Sequence, residues 1–244
     1  MGTDARGMEG DAIIAQDMEA RGGFYRFLSA VYLRPPTPEL LRRIVAEDFL
    51  EALAWLFGGD AVAELRRFAT GDHLSGDLAS LEQEYMDLFA VPTDRYVTPF
   101  EDVYWGTTVD GQPQQRGPLL GERAVAVIRS YREAAAEMEE ACKELPTHIG
   151  VELSFISFLC EREAEAVRSG DRTPPDEDER VDGASTLYRD LQIQFLQQHL
   201  NVWFPQLSRV IQYRARSGLY RGMARITEEF LRWDAACLTR SRRE

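Results

Sequence analysis

Lysine is almost absent from this sequence. Lys143 is the single one among 244 residues, so arginine carries nearly all of the positive charge; that bias by itself points to no function. Cysteine is scarce and scattered. Cys142, Cys160 and Cys237 form no C-x-x-C pair, which removes the usual basis for a zinc, iron–sulfur or thioredoxin-like protein. Three isolated thiols suit a reducing cytosol better than a secreted disulfide framework. No apolar run approaches the ~20 residues of a membrane span, and the opening MGTDARGMEGDAII has no apolar signal-peptide core. The expected compartment is the cytoplasm, without stable membrane insertion. Positive charge is in deficit: 28 Lys and Arg against 41 Asp and Glu leave a formal charge of -13. That speaks against nucleic-acid or anionic-membrane partners, and the same field attracts a basic one. Missing too are a G-x-S-x-G elbow, a Walker A loop, a G-x-G-x-x-G turn, an H-E-x-x-H helix and the repeated Glu-x-x-His pairs of di-iron bundles. No segment alternates like a strand with hairpin turns, and no repeat recurs at a fixed period.

What is present is helical pattern. Apolar residues recur at 3.6-residue spacing in segment after segment. Residues 1–10 read as a flexible tail. Asp11 can cap a helix carrying Ile14, Met18, Tyr25, Leu28 and Tyr32, weakened by Gly22-Gly23 and ended by Pro35-Pro36. Thr37-Pro38 is a cap followed by proline at the first helical position. Further helices are expected over 48–57, stopped by Gly58-Gly59, and over 60–69. Others are expected over 119–138, from Pro146 to about Arg168, and over 183–200. Trp203, Phe204 and Pro205 read as a turn before helices over 206–217 and 220–238. The acidic stretch 172–182, RTPPDEDERVD, reads as a solvated hinge or connector. The expected architecture is all-α: one globular domain of about nine or ten helices over 11–240, with a two-lobed variant hinged at 172–182 left open.

The stretch the chain is organised around is Leu81 to Trp105. It begins as a helix with Leu81, Tyr85, Leu88 and Phe89 on one stripe and stops before Pro92. Aromatics then alternate with prolines and carboxylates: Tyr96, Pro99, Phe100, Glu101, Asp102, Tyr104 and Trp105. No helical or strand period fits. Long loops inside compact domains are usually functional or disordered, and the aromatic content argues against disorder. An ordered loop anchored by its aromatics is expected; the plainer alternative is that these rings complete the core.

Three short words in this sequence resemble one family. Glu82, Tyr85, Leu88 and Phe89, followed by Pro99-Phe100-Glu101-Asp102-Val103-Tyr104, are similar to an E-x-x-Y-x-x-L-F helix end and a P-[YF]-E-[SD]-V-Y loop of the TorD/DmsD/NarJ family. Pro146-Thr147-His148-Ile149-Gly150-Val151-Glu152-Leu153 resembles its P-D-H-[IL]-x-x-E-[LF] word, with Thr147 where the family usually has Asp. Phe195, His199, Leu200 and Trp203 resemble its F-x-x-x-H-[LI]-x-x-W word. The words span from Glu82 to Trp203, about half the chain. The resemblance implies a cytoplasmic, all-helical chaperone of anaerobic respiration, not an enzyme and with no cofactor of its own. Its partner would be the catalytic subunit of a molybdopterin-containing oxidoreductase, bound as apo-protein through an N-terminal twin-arginine-type leader until cofactor is inserted, with export or assembly thereby controlled. Monomer and dimer both remain open.

The residues suggest where a leader would lie. His148 and Glu152 are four apart and share a helix face, with Thr147 as the expected N-cap; a closed His–Glu hydrogen bond is the structural alternative. Glu101 and Asp102 place negative charge beside Phe100, Tyr104 and Trp105, a mixture that suits an arginine-containing apolar peptide. The candidate leader-binding set is therefore Tyr96, Phe100, Glu101, Asp102, Tyr104, Trp105, Thr147, His148 and Glu152, with no catalytic or metal residue. His199 by itself reads as structural. The competing hypothesis is a helical enzyme or small-ligand binder using His148 and Glu152, with a metal.

Overall fold

In the computed structural model the described residues are 3–71, 78–104, 108–109, 112–113, 119–138, 142–169 and 183–241. The connector 172–182 and Trp105 lie outside them. Among the described residues eleven α-helical segments form, with strands confined to a hairpin in which Thr108–Val109 (β1) pairs antiparallel with Gln112–Pro113 (β2). Strands of two residues are too short to leave any alternation in a sequence.

Helix α1 (Thr3–Leu33) starts ahead of the Asp11 cap that the sequence suggests. Its buried stripe of Ala15, Met18, Tyr25, Leu28 and Tyr32 packs chiefly on α8 (Ile149–Arg168). Glycine lets the two axes close up. A Cβ on Gly22 would stand 3.1 Å from the Cys160 Cβ, and one on Gly150 would stand 2.4 Å from Leu33 Cγ. Ser29 Oγ also donates to the Gly150 carbonyl at 2.7 Å. Gly150→Ala is therefore expected to destabilise the protein by about 1–3 kcal/mol through overpacking, read as a lower urea midpoint at unchanged slope. An unchanged midpoint would mean that α1 and α8 are not tightly apposed here.

α2 (Pro38–Ile44) is capped as expected, Thr37 Oγ1 accepting from Leu40 N at 3.2 Å. α3 (Glu47–Phe57) ends at Gly58, whose φ of 86° turns the chain directly into α4 (Gly59–Thr70). α5 (Leu78–Tyr85) runs on as a π-helical turn, Met86–Ala90, before the loop to the single-turn α6 (Glu101–Tyr104). α7 (Glu122–Glu133) is shorter than the 119–138 expected. Leu120 and Ala135, with φ of 61° and 51°, bound it in the left-handed region that no helix continues through.

The expected turn at Trp203–Pro205 is corrected by the structure. α9 (Ala184–Phe195) continues through a π-helical turn, Leu196–Leu200, into α10 (Asn201–Arg214), and Pro205 sits inside α10. In the π turn the Asn201 amide reaches back to the Leu196 carbonyl. A proline lacks the N–H that would bond four residues back, and here the lost bond falls next to this register shift instead of ending the helix. α11 (Gly218–Ser241) closes the bundle against α10 and α4.

One apolar core takes residues from α1 through α11, with Trp203, Phe204, Phe195, Tyr25 and Tyr32 among its largest members. A polar strut crosses it. Arg21 grips Asp234 with two bonds of 2.7 and 2.9 Å, Tyr25 donates to the same carboxylate at 2.7 Å, and Gln192 links Arg21 to Glu163. The strut thus ties α1, α8, α9 and α11.

Candidate functional site

The central loop leaves the π turn with Val97 N bonded to the Leu88 carbonyl at 2.9 Å. It then lies against the start of α8 as a short antiparallel bridge, Phe100 opposite His148. Glu101 N donates to the Thr147 carbonyl and Ile149 N to the Pro99 carbonyl, each at 2.9 Å. This two-bond backbone clasp brings the first and second sequence words together. The third arrives on the π turn and the first residues of α10.

Side chains then join the three words pairwise. His199 Nδ1 lies 2.9 and 3.1 Å from the two Glu101 carboxylate oxygens. Thr147 Oγ1 donates to Asp102 Oδ2 at 2.6 Å, while Asp102 Oδ1 accepts Ala124 N at 3.1 Å and so holds the first turn of α7. Trp203 Nε1 donates to Glu152 Oε2 at 2.9 Å. All of these side chains are buried: Glu101, Thr147, Glu152 and Trp203 at 0 % exposure, Asp102, His148 and His199 at 2 %. Buried polar groups persist only when bonded, and the loop's carboxylates meet that condition through partners distant in sequence.

Two groups in this seam are shifted toward their neutral forms. Burial pushes the His148 imidazole down to about 3. Its Nδ1 accepts the Gly150 amide at 3.0 Å, which makes His148 the N-cap of α8. Thr147, expected as the cap, has given its hydroxyl to Asp102 instead. Burial, and secondarily the nearby Glu101 charge, raise the Glu152 carboxyl well above its ordinary range. Its second oxygen, Oε1, has no hydrogen-bond partner, although Glu101 is close enough to oppose its ionisation.

Of the nine residues expected to meet a peptide, the structure brings Glu101, Asp102, Thr147, His148 and Glu152 into this seam, where in this conformation they have no outward face. Tyr96, Phe100 and Tyr104 stay half-buried above it. Phe100 meets His148 edge-on at 5.3 Å, and Tyr104 stacks on Trp203 at 5.5 Å. Trp105 lies outside the described residues. The expected His148–Glu152 pair does not form, because each turns to a different partner. Among the described residues no group of three or more His, Cys, Asp or Glu side chains is placed to hold a metal ion, and no helix is long and apolar enough to cross a membrane. His199 and Trp203 complete the seam, although the sequence reads His199 as structural and Trp203 as part of a turn and places neither in the leader-binding set. Their signal was the five-residue frame of the third word, which sets both on the face turned to the loop.

Comparison with known proteins gives a consistent result. The family model described as nitrate reductase delta subunit matches residues 58–209, a span that contains all three words. The selenate reductase assembly chaperone protein of Thauera selenatis is 30% identical over 116 residues, 47% of this chain and 54% of that protein. The chain thus spans about half the length of that relative. The chaperone protein TorD of Colwellia psychrerythraea is 21% identical over 246 residues, covering 92% of this chain and 94% of that protein. The chaperone protein TorD of Vibrio cholerae is 24% identical over 233 residues, covering 90% and 92%. The names of these relatives describe chaperones and assembly proteins, not enzymes.

Proposed function

The chain belongs to the nitrate reductase delta subunit family, and from that membership we propose that it is a dedicated maturation chaperone for the catalytic subunit of a molybdopterin-containing oxidoreductase. It binds the apo-subunit and its twin-arginine-type leader in the cytoplasm and releases them after cofactor insertion. The observation that carries this reading is the meeting of the three words in one seam beneath a half-buried aromatic rim. Tyr96, Phe100 and Tyr104, with Trp105 next to them in sequence, cover the apolar part of the leader. Glu101, Asp102, Thr147, His148 and Glu152 act from beneath and fix the rim in position. Attraction for the leader's arginines comes from the field of a chain carrying -13 and from exposed carboxylates such as Asp94 on the loop itself. The competing enzyme reading loses its basis, since His148 and Glu152 form no common site.

The two contributions respond differently to salt. Exposed ionic attraction is screened over a Debye length of about 8 Å at physiological strength, whereas apolar contact is not. Added sodium chloride is therefore expected to slow association of a synthetic leader far more than it speeds release. Phe100→Ala and Trp105→Ala are expected to speed release. Stopped-flow mixing with a labelled leader separates the two rates, and melting curves on the same samples separate lost contact from lost fold. A salt-independent association rate, together with unaltered release from both variants, would sink the proposal.

A further inference from the structure

Among the exposed large apolar side chains of the described residues, Trp55 on α3 is one of the barest, 85% exposed. Indoles are among the most buried side chains on average, so this one is out of place as a structural residue. α3 buries Leu50 and Leu53 and packs on α2, α4 and α11. Its outer face, read at helical spacing, carries Asp48, Glu51, Ala52 and Trp55, with Leu56 also exposed at 39%. Asp48 sits in the first turn, where it favours the helix dipole. Glu51 has no such reason to be there. Among the described residues neither carboxylate has an ion-pair partner, whereas other exposed acids such as Glu39 and Glu165 have arginines three residues away. Beyond the indole the chain leaves by Gly58 and Gly59, around which nothing lies within 4 Å of an added Cβ. A bulky occupant can approach from that end.

We infer that the outer face of α3 is a second docking surface, for a partner-protein segment in which an arginine stands beside apolar residues. The complementarity is specific to that chemistry. A guanidinium over the indole face gains a cation–π contact, its donors reach Glu51 and Asp48, and the neighbouring apolar side chain covers Leu56. An acidic or purely apolar segment would leave the two carboxylates desolvated without partners. The surface is separate from the aromatic rim, since α6 packs on α7 and α10 instead.

The test is a titration of the full-length protein with a short synthetic peptide of arginine and leucine, with a glutamate-for-arginine peptide as control. Trp55→Ala and Glu51→Lys are each expected to weaken binding about tenfold or more, the ~1.4 kcal/mol scale of one such contact. Glu137→Lys, which makes the same change of net charge at another exposed acid, is expected to leave affinity nearly unchanged. Because Trp55 is exposed, its removal leaves the melting temperature where it was, so the variant reports on binding alone. Equal affinity for wild type, Trp55→Ala and Glu51→Lys would overturn the inference. So would sedimentation showing that Trp55→Ala abolishes self-association, because the occupant would then be a second copy of this chain. Titrating a twin-arginine leader against the same set keeps the two readings apart: the leader proposal stands or falls on Phe100→Ala, this one on Trp55 and Glu51.

Discussion

Glu101→Ala is expected to cost about 1–3 kcal/mol of folding stability, the range for leaving a buried polar group without its hydrogen-bond partner. Glu101 is fully buried, and its two oxygens face His199 Nδ1 at 2.9 and 3.1 Å. Without the carboxylate the imidazole stays buried but its Nδ1 loses the hydrogen bond that the fold gives it. The loss is a large share of the 5–15 kcal/mol that holds a typical domain together. His199→Ala removes the same contact from the other side and leaves an unpaired carboxylate near Glu152. The double variant is expected to fall short of the sum of the two by about 1–3 kcal/mol, because the second substitution removes a group already orphaned. Urea unfolding of the four proteins at neutral pH measures the cycle. Strict additivity would show that the pair does not tie the loop to the π turn. The backbone clasp between 99–101 and 147–149 survives in every variant, so partial proteolysis of the loop should track this pair and not the clasp.

The helices were legible in the sequence because their causes are local. Thr37-Pro38 and Gly58 act within a turn of themselves, and Met18, Tyr25, Leu28 and Tyr32 recur at the helical period. The loop and α8 side of the seam is legible in the sequence, whereas His199, Trp203 and the wiring are not. Glu101, Asp102, Thr147, His148 and Glu152 were all picked out, but as outward-facing contacts. Their partners stand 98, 45 and 51 residues away for Glu101–His199, Asp102–Thr147 and Glu152–Trp203, and no local pattern encodes such pairings. The same distance effect displaced the cap of α8: Thr147 is the better local cap, but Asp102 takes its hydroxyl and His148 moves into the role. Pro205 misled for the opposite reason. Its local preference for ending a helix is real, and the π turn before it, set by tertiary packing, absorbs the cost.

Stability is expected to fall on both sides of a plateau at roughly pH 4.5–6.5, through two buried neutral groups with opposite signs. His148 titrates at about 3 when folded and near 6.5 when unfolded. At high pH both states are neutral and nothing is lost; as pH falls through 6.5 the unfolded chain takes up a proton that the folded protein refuses, so stability drops until about pH 3. Protonation at Nδ1 would also break the cap on Gly150. Glu152 runs the other way. Its folded value lies well above 4.5, so its contribution is complete at and below pH 4.5 and is lost as pH rises toward the folded value, because the unfolded chain releases a proton that the folded protein keeps. Between 4.5 and 6.5 the two slopes oppose each other. A tenfold change in proton affinity is worth about 1.4 kcal/mol; after local relaxation the His148 arm is expected to be on the order of 2–4 kcal/mol, and the Glu152 arm has the opposite sign. Other carboxylates titrate too, so the readout is the difference between each variant and wild type across pH. Glu152→Gln keeps an acceptor for Trp203 Nε1 and cannot ionise, so it should flatten the loss at high pH and leave the acid arm alone. His148→Asn keeps a neutral N-cap acceptor and should flatten the acid arm alone. If Glu152→Gln unfolds with the same alkaline dependence as wild type, Glu152 is ionised in the folded protein, and the orphaned Oε1 in the seam must have found another partner.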